Sequence, residues 1–371
     1  MPLNREAMKP FVYQANPSRV VFGVGALRDL GREIEWLGAH RALVLSTPEQ
    51  ADSARRVAEL LGVRAAGIFA KAVMHVPIET AREARAEAAR LGADCAVAIG
   101  GGSTTGLGKA IALESGLPIL AIPTTYAGSE MTSIYGLTEG GVKKTGRDAK
   151  VLPRTVIYDP ELTLTLPLAM TVTSALNAIA HAAEGLYAHD GNPILALMAE
   201  EGIRASAAAL PPLAQDPHDL AARGDALYGA WLCGTVLNGV SMGLHHKLCH
   251  TLGGTFNLPH AETHTVVLPH ALAYNAALAP QAMARIARAL GAGDDAGSGS
   301  ESVAAAPRAV FELARRHGAP TSLAAIGMPA EGLDRAADLA VQNQYPNPRP
   351  LERAALRALL QRAFDGEPPQ A

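Results

Sequence analysis

Cys95-Ala96-Val97-Ala98-Ile99 runs without interruption into Gly100-Gly101-Gly102-Ser103-Thr104-Thr105-Gly106, and a helical pattern follows. The apolar residues read as a buried strand, the glycines as a tight turn, and the polar residues as the start of a helix. Strand, glycine turn and helix N-terminus together leave backbone N–H groups where a pyrophosphate can sit. Two better-known phosphate motifs fail on this stretch. A P-loop needs glycine five residues before Gly108-Lys109 and meets Ser103, while GxGxxG begun at Gly100 ends on Thr105. Gly23-Val24-Gly25 also begins that pattern but closes on Arg28. A bare glycine turn is structural more often than not, so the second element carries weight. Ile122-Pro123-Thr124-Thr125-Tyr126-Ala127-Gly128-Ser129 follows the next apolar run and brings hydroxyls and small residues to the same strand edge, where open α/β sheets bind ligands.

Working outward, further short apolar runs read as strands: Arg19 to Phe22, Ala42 to Ser46, Val63 to Phe69, Ile119 to Ile122 and Thr155 to Tyr158. Amphipathic segments such as Ile78 to Leu91 lie between several of them. Buried runs alternating with helices indicate a parallel, doubly wound sheet. Ile134 to Thr138 followed by Glu139-Gly140-Gly141 reads as a hairpin added to that sheet. After Asp159-Pro160 the texture changes. Thr171 to Ala188, Pro193 to Leu210, Leu220 to Leu237, Pro280 to Leu290 and Leu351 to Phe364 are Ala/Leu-rich with helical period, and convincing strands disappear. The expected organisation is an α/β dinucleotide-binding domain over residues 1–162 and an all-α domain over 163–371. Gly291 to Ser300 reads as a flexible surface loop.

Composition excludes several function classes. Lys plus Arg is 32 against 35 Asp plus Glu, a formal charge of −3, which gives no electrostatic footprint for nucleic acid or an acidic membrane surface. At 49% hydrophobic and 18% charged residues the chain is not disordered. Cys95, Cys233 and Cys249 form no CxxC pair, so neither a disulfide framework nor a thiolate zinc site is expected. No signal-peptide pattern opens the chain and no apolar stretch spans a bilayer, which points to the cytoplasm.

Histidine supplies the chemistry. His245, His246, His250, His260, His264 and His270 crowd one short stretch. His246 and His250 are spaced i, i+4 and share a helix face; Asn177 and His181 have the same spacing on a helix otherwise made of Ala and Leu. His260 follows Pro259 at the start of another helix. Polar groups on apolar helices cost several kcal/mol each unless they find partners, so Asn177, His181, His246 and His260 are expected to converge. One such histidine is more often a satisfied core residue than a functional one; as a set they point to a site.

GGGSTTGLGK, IPTTYAGSE, the Asn177…His181 pair and HHKLCHTLGGTFNLPH (His245 to His260) resemble the iron-containing alcohol dehydrogenase family. The likeness runs from Arg19-Val20-Val21-Phe22-Gly23 to Asn347-Pro348-Arg349-Pro350. It implies a Rossmann-like N-terminal domain, a helical C-terminal domain as in dehydroquinate synthase, and a nicotinamide in the cleft between them. It also implies cofactor contacts at Ser46, Thr47, Gly101, Gly102, Ser103, Thr124, Thr125 and Lys144. Metal-dependent members carry Asp-x-x-x-His and two further histidines, where this chain has Asn177, His181, His246 and His260. Asn177 removes the one anionic ligand, and a carboxamide is a poor ligand for a hard cation. No metal is therefore expected, although three imidazoles can hold zinc. Gly106 stands where the family usually has Asp. These departures resemble the branch that reduces the carbon–carbon double bond of maleylacetate to 3-oxoadipate in aromatic-compound breakdown, with NADH or NADPH as reductant.

That resemblance implies a small dicarboxylate substrate and a homodimer. His250 matches the position nearest the nicotinamide and is the expected proton donor, with His181, His246, His260 and Lys247 beside it; Asn177 and Arg349 are expected to touch substrate. Three other readings compete. One is a metal-dependent alcohol dehydrogenase or aldehyde reductase using His181, His246 and His260. Another is a carbon–oxygen lyase resembling dehydroquinate synthase, which Asn177 disfavours. The third is a nucleotide-binding protein without activity.

Overall fold

The structure, a computed structural model, describes residues 11–15, 18–140, 142–292, 300–342 and 344–370. Six strands, β1 (Arg19–Phe22), β2 (Ala42–Leu45), β3 (Ala65–Phe69), β4 (Cys95–Gly100), β5 (Ile119–Pro123) and β8 (Thr155–Tyr158), form one sheet in the order β1-β8-β5-β4-β2-β3. Every pairing in it is parallel. Helices α1 (Leu30–Trp36), α2 (Ala51–Leu61), α3 (Ile78–Arg90) and α4 (Gly102–Ser115) cover its two faces. The central strands β2, β4 and β5 are buried at every position, which is why they read as unbroken apolar runs. The expected strand at Val63 starts two residues later, because Gly62–Arg64 turns as a 3-10 segment.

The hairpin β6 (Ile134–Glu139) and β7 (Val142–Arg147) corrects the sequence reading: it is a separate two-stranded sheet. The six-stranded sheet ends in β1 and β3, and the hairpin adds to neither. Instead Thr138 N–H donates to Val76 O at 3.1 Å and its hydroxyl to His75 O at 2.8 Å, so the hairpin leans on the segment before α3. From there it walls the cleft described below.

The second half is helical: α5 (Leu168–Gly185), α6 (Pro193–Gln215), α7 (Leu220–Gly239), α8 (Leu244–Phe256), α9 (His260–Asn275), α10 (Pro280–Ala289), α11 (Ser300–Arg316), α12 (Gly332–Gln342) and α13 (Arg353–Asp365). Residues 293–299 of the Gly291 to Ser300 stretch lie outside the described residues. Among the described residues no helix is long and apolar enough to cross a membrane.

Polar and small residues fasten the two halves along the β5 edge. Ser174 Oγ on α5 accepts the Tyr126 N–H at 2.9 Å. The buried Arg223 donates to Tyr126 Oη, Thr171 Oγ1, Leu166 O and Pro217 O, so four of its five N–H donors are hydrogen-bonded. At Gly128 (φ 78°) the loop after β5 meets Gly234 on α7 so closely that a Cβ on Gly234 would lie 2.8 Å from Gly128 O. No larger residue fits that crossing.

Candidate active site

The strand–turn–helix unit forms as its residues dictate. Gly100 has φ 148°, and a Cβ there would sit 2.5 Å from Thr104 Oγ1 and 2.6 Å from Gln50 Oε1, so this corner requires glycine. No side chain caps the N-terminus of α4. Its first N–H groups face an open cleft of about 960 Å³ between the sheet edge, the hairpin and α5, α8 and α9. A Cβ on Gly101 would lie 3.1 Å from Thr125, so the turn packs closely against the loop after β5 just behind the cleft wall. These features fit a dinucleotide pyrophosphate.

Of the cofactor candidates, Gly102, Ser103 and Thr125 line the cleft. Thr124 is buried behind them, its hydroxyl accepting from Gln50 Nε2 at 2.8 Å. Thr47 follows β2 and precedes Pro48, opening the turn into α2. Two expectations need correction. Ser46 is fully buried and its hydroxyl donates to Thr47 O, so it faces inward. Lys144 is exposed on β7 and paired with Glu139 at 2.9 Å, because the hairpin turns that position to solvent.

On the opposite wall, Asn177, His181 and Glu184 occupy one face of α5 at i, i+4 and i+7. His246 Nδ1 lies 2.6 Å from Glu184 Oε2, His246 Nε2 lies 2.8 Å from His181 Nδ1, and His181 Nε2 lies 3.2 Å from Ala127 O. Burial pushes the Glu184 carboxyl up and the His246 imidazole well down, and burial with the neighbouring His246 takes His181 down to about 3. All three shifts favour uncharged groups. The chain then closes with one proton per contact: His181 Nε2–H donates to Ala127 O, His246 Nε2–H donates to His181 Nδ1, and Glu184 and His246 Nδ1 share the third.

Glu184 also organises α8. That helix begins without a side-chain cap of its own, and the backbone N–H groups of Gly243, His245 and His246 all donate to Glu184, at 3.2, 2.9 and 3.2 Å. One carboxyl from α5 thereby caps α8 and orients His246.

Around this chain the histidines gather. His245 Nε2 lies 2.9 Å from His264 Nδ1, the His246 and His250 ring centroids are 6.3 Å apart, and those of His260 and His264 are 4.4 Å apart. His245 and His264, like His246, are held neutral by burial. His250, His260 and Lys247 are exposed and line the cleft with Asn177, His181 and His246. Lys247 Nζ stands 5.8 Å over the Tyr345 ring, which shares the lining. The structure thus brings together Asn177, His181, His246, Lys247, His250 and His260.

Two residues lie elsewhere. His270 is ten residues from His260, about 15 Å along α9, and lines another cavity. Arg349, expected at the substrate, stands over Tyr274 at 4.3 Å and lines that same cavity, because the chain bends at Pro348-Arg349 away from the cleft. The sequence reading missed Glu184, Tyr345 and Arg147, all placed by tertiary contacts. Only Glu184 had a signal, its i+7 spacing from Asn177.

Residues 17–160 match the iron-containing alcohol dehydrogenase family, and residues 171–364 match the Fe-containing alcohol dehydrogenase family, C-terminal. The chain belongs to the iron-containing alcohol dehydrogenase family. It is 72% identical over 362 residues to maleylacetate reductase of Burkholderia cepacia, covering 98% of this chain and all of that one. It is 59% identical to maleylacetate reductase of Sphingobium indicum, covering 97% of this chain and 99% of that one. The crystal structure of maleylacetate reductase from Agrobacterium tumefaciens superposes with a TM-score of 0.92 at 55% identity, covering 98% of this chain and all of that one. The two-domain architecture and the nicotinamide-dependent oxidoreductase class follow from the family.

The family's name raises the question of iron, and the donor set here does not fit it. Asn177, 3% exposed, offers a neutral carboxamide oxygen, and that oxygen is buried without a partner. All four ring nitrogens of His181 and His246 are engaged with each other, Glu184 or Ala127 O. A hard divalent cation finds a neutral carboxamide where the family has a carboxylate, and no free nitrogen on those two rings.

Proposed function

We propose that this chain reduces the carbon–carbon double bond of maleylacetate to give 3-oxoadipate, using NADH or NADPH and no metal. One observation carries the metal-free part: of the family's ligand positions, His181 and His246 spend their ring nitrogens on Glu184, each other and Ala127 O, and Asn177 offers a neutral carboxamide in place of a carboxylate. The near-full-length identity to maleylacetate reductases supports the substrate.

A bound reduced nicotinamide supplies a hydride, which adds to the alkene carbon β to the ketone of the substrate. Negative charge then develops on the ketone oxygen, and a proton must reach the carbon between. Conjugation spreads that charge, so an enone needs less electrophilic help than an isolated ketone. The protein's part is to stabilise the enolate with positioned donors. His250, exposed at the cleft wall, donates the proton; His260 stands nearby. His246, locked by Glu184 and His181, gives that wall a fixed shape. Lys247, held over Tyr345, offers the cation for one substrate carboxylate, and Asn177 offers a hydrogen bond at the inner end.

On the cofactor side, Gly101, Gly102 and Ser103 hold the pyrophosphate with Thr124 and Thr125 behind, and Thr47 approaches the adenine ribose. Thr47 carries no charge to repel a 2′-phosphate, so both reductants are accepted. The reading divides the work between residues 1–162 and 163–371 and includes a cytoplasmic homodimer. It is tested by following NADH oxidation with maleylacetate before and after dialysis against a chelator. A rate unchanged by chelation is expected; loss of activity restored by metal would favour the metal-dependent alternative, for which His181, His246 and His260 are the candidate ligands.

A further inference from the structure

A second cavity, of about 180 Å³, lies outside the cleft, between the C-terminal half of α9, the segment around Arg349, and α13. Its lining includes His270, Tyr274, Arg349, Arg362 and Gln370, with no carboxylate among the described residues. Among the described residues no acidic side chain pairs with the guanidinium of Arg349 or of Arg362.

The wall is built rather than accidental. The Arg349 guanidinium carbon stands 4.3 Å over the Tyr274 ring, and among the described residues none of its side-chain N–H groups is hydrogen-bonded, so they are open to a ligand. Tyr274 is itself pinned, donating to Pro350 O at 2.6 Å and accepting from Glu352 N–H at 3.2 Å. The Arg349 N–H is held by Asn275 Oδ1 at 3.3 Å. His270, 3% exposed, has a buried Nε2 with no hydrogen-bond partner. Burial, with the charge of Arg362 beside it, lowers the His270 pKa to about 4. Two cations without an acidic partner among the described residues, set against a buried imidazole, are what an anion would relieve.

We propose that this cavity is an oxyanion-binding site separate from the catalytic cleft, taking a small carboxylate or phosphate across Arg349 and Arg362. The site carries a planar fork and a second cation, which suits a group with two or three terminal oxygens. Its position has a consequence for the cleft. Four residues before Arg349, Tyr345 lines the cleft under Lys247, and Asn347 Oδ1 accepts the Leu244 N–H at the start of α8.

The test uses NADH-saturated enzyme, so that the pyrophosphate cradle is filled, and titrates inorganic phosphate or succinate by calorimetry. Saturable binding of one anion per chain is expected, weakened roughly tenfold or more in Arg362→Gln and recovered in part in Arg362→Lys, as loss of a charge-assisted pair predicts. An unchanged kcat in Arg362→Gln reports that the variant is folded. Phosphate binding alone would assign the site to phosphate or phosphate esters, and succinate binding alone to carboxylates. Failure of both probes to saturate, or binding that is undiminished in Arg362→Gln, would overturn the proposal.

Discussion

Glu184 carries more of the site than any other side chain, and its removal can be priced group by group. The carboxyl is 1% exposed and accepts three backbone N–H groups at the start of α8, besides its contact with His246 Nδ1. Leaving a buried donor unsatisfied costs about 1–3 kcal/mol. Glu184→Ala strands three N–H groups and one ring nitrogen, and water entering the vacated space recovers part of the loss, so about 3–5 kcal/mol is expected. Glu184→Gln keeps one acceptor oxygen but turns an NH₂ toward donors, for roughly 1.5–3 kcal/mol. The assay is urea unfolding followed by circular dichroism, with the midpoint and slope fitted separately. In Glu184→Ala the freed His246 should lower kcat about tenfold or more with little change in the KM for NADH, since the cofactor wall lies on the other side of the cleft. Stability within about 0.5 kcal/mol of wild type in both variants would refute the reasoning, because it would mean α8 finds its cap elsewhere.

Four further outcomes are expected. Asn177→Asp should raise affinity for zinc or iron by restoring an anionic oxygen beside His181, measured by competition with a chelating dye; equal affinity in both proteins would count against the donor-set argument. His250→Ala should lower kcat by about 10² to 10⁴ with NADH binding intact, and an unchanged kcat would move the proton donor elsewhere in the cluster. Wild type should use NADH and NADPH with kcat/KM within about a hundredfold, and Thr47→Asp should suppress NADPH alone; equal loss with both cofactors would show that another position discriminates. Stability should fall as pH drops below about 6.5, because an unfolded histidine takes up a proton there while the folded state refuses it. His181, His245, His246, His264 and His270 all act in that sense through burial, and they outnumber Glu130 and Glu184, whose raised pKa values act oppositely. Unfolding midpoints at several pH values measure the slope, and a profile flat from neutral to mildly acidic pH would contradict it.

The sequence by itself determined the elements and several of the groups they carry. Cys95 to Gly106 specifies strand, corner and helix through local rules: apolar residues buried on both faces, a glycine where φ must be positive, and open N–H groups at the helix start. The same holds for the spacing of Asn177 and His181, which fixes them on one face of α5 whatever that face meets, and for the change from alternating elements to helices near residue 160. Tertiary structure decided what each face meets. The stretch that separates Glu184 from His246 by 62 positions holds no sign that one carboxyl caps α8 and orients the imidazole. Lys144 and Arg349 looked equally suited to a charged ligand, yet the hairpin's separation from the main sheet turned one to solvent, and the bend at Pro348-Arg349 took the other to a second cavity. The reason lies in range. Backbone sterics and hydrogen-bond spacing act between near neighbours and so are written in adjacent residues. Which side chains come within 3 Å depends on the packing of whole helices, a sum of many small burial terms that no single stretch of sequence contains.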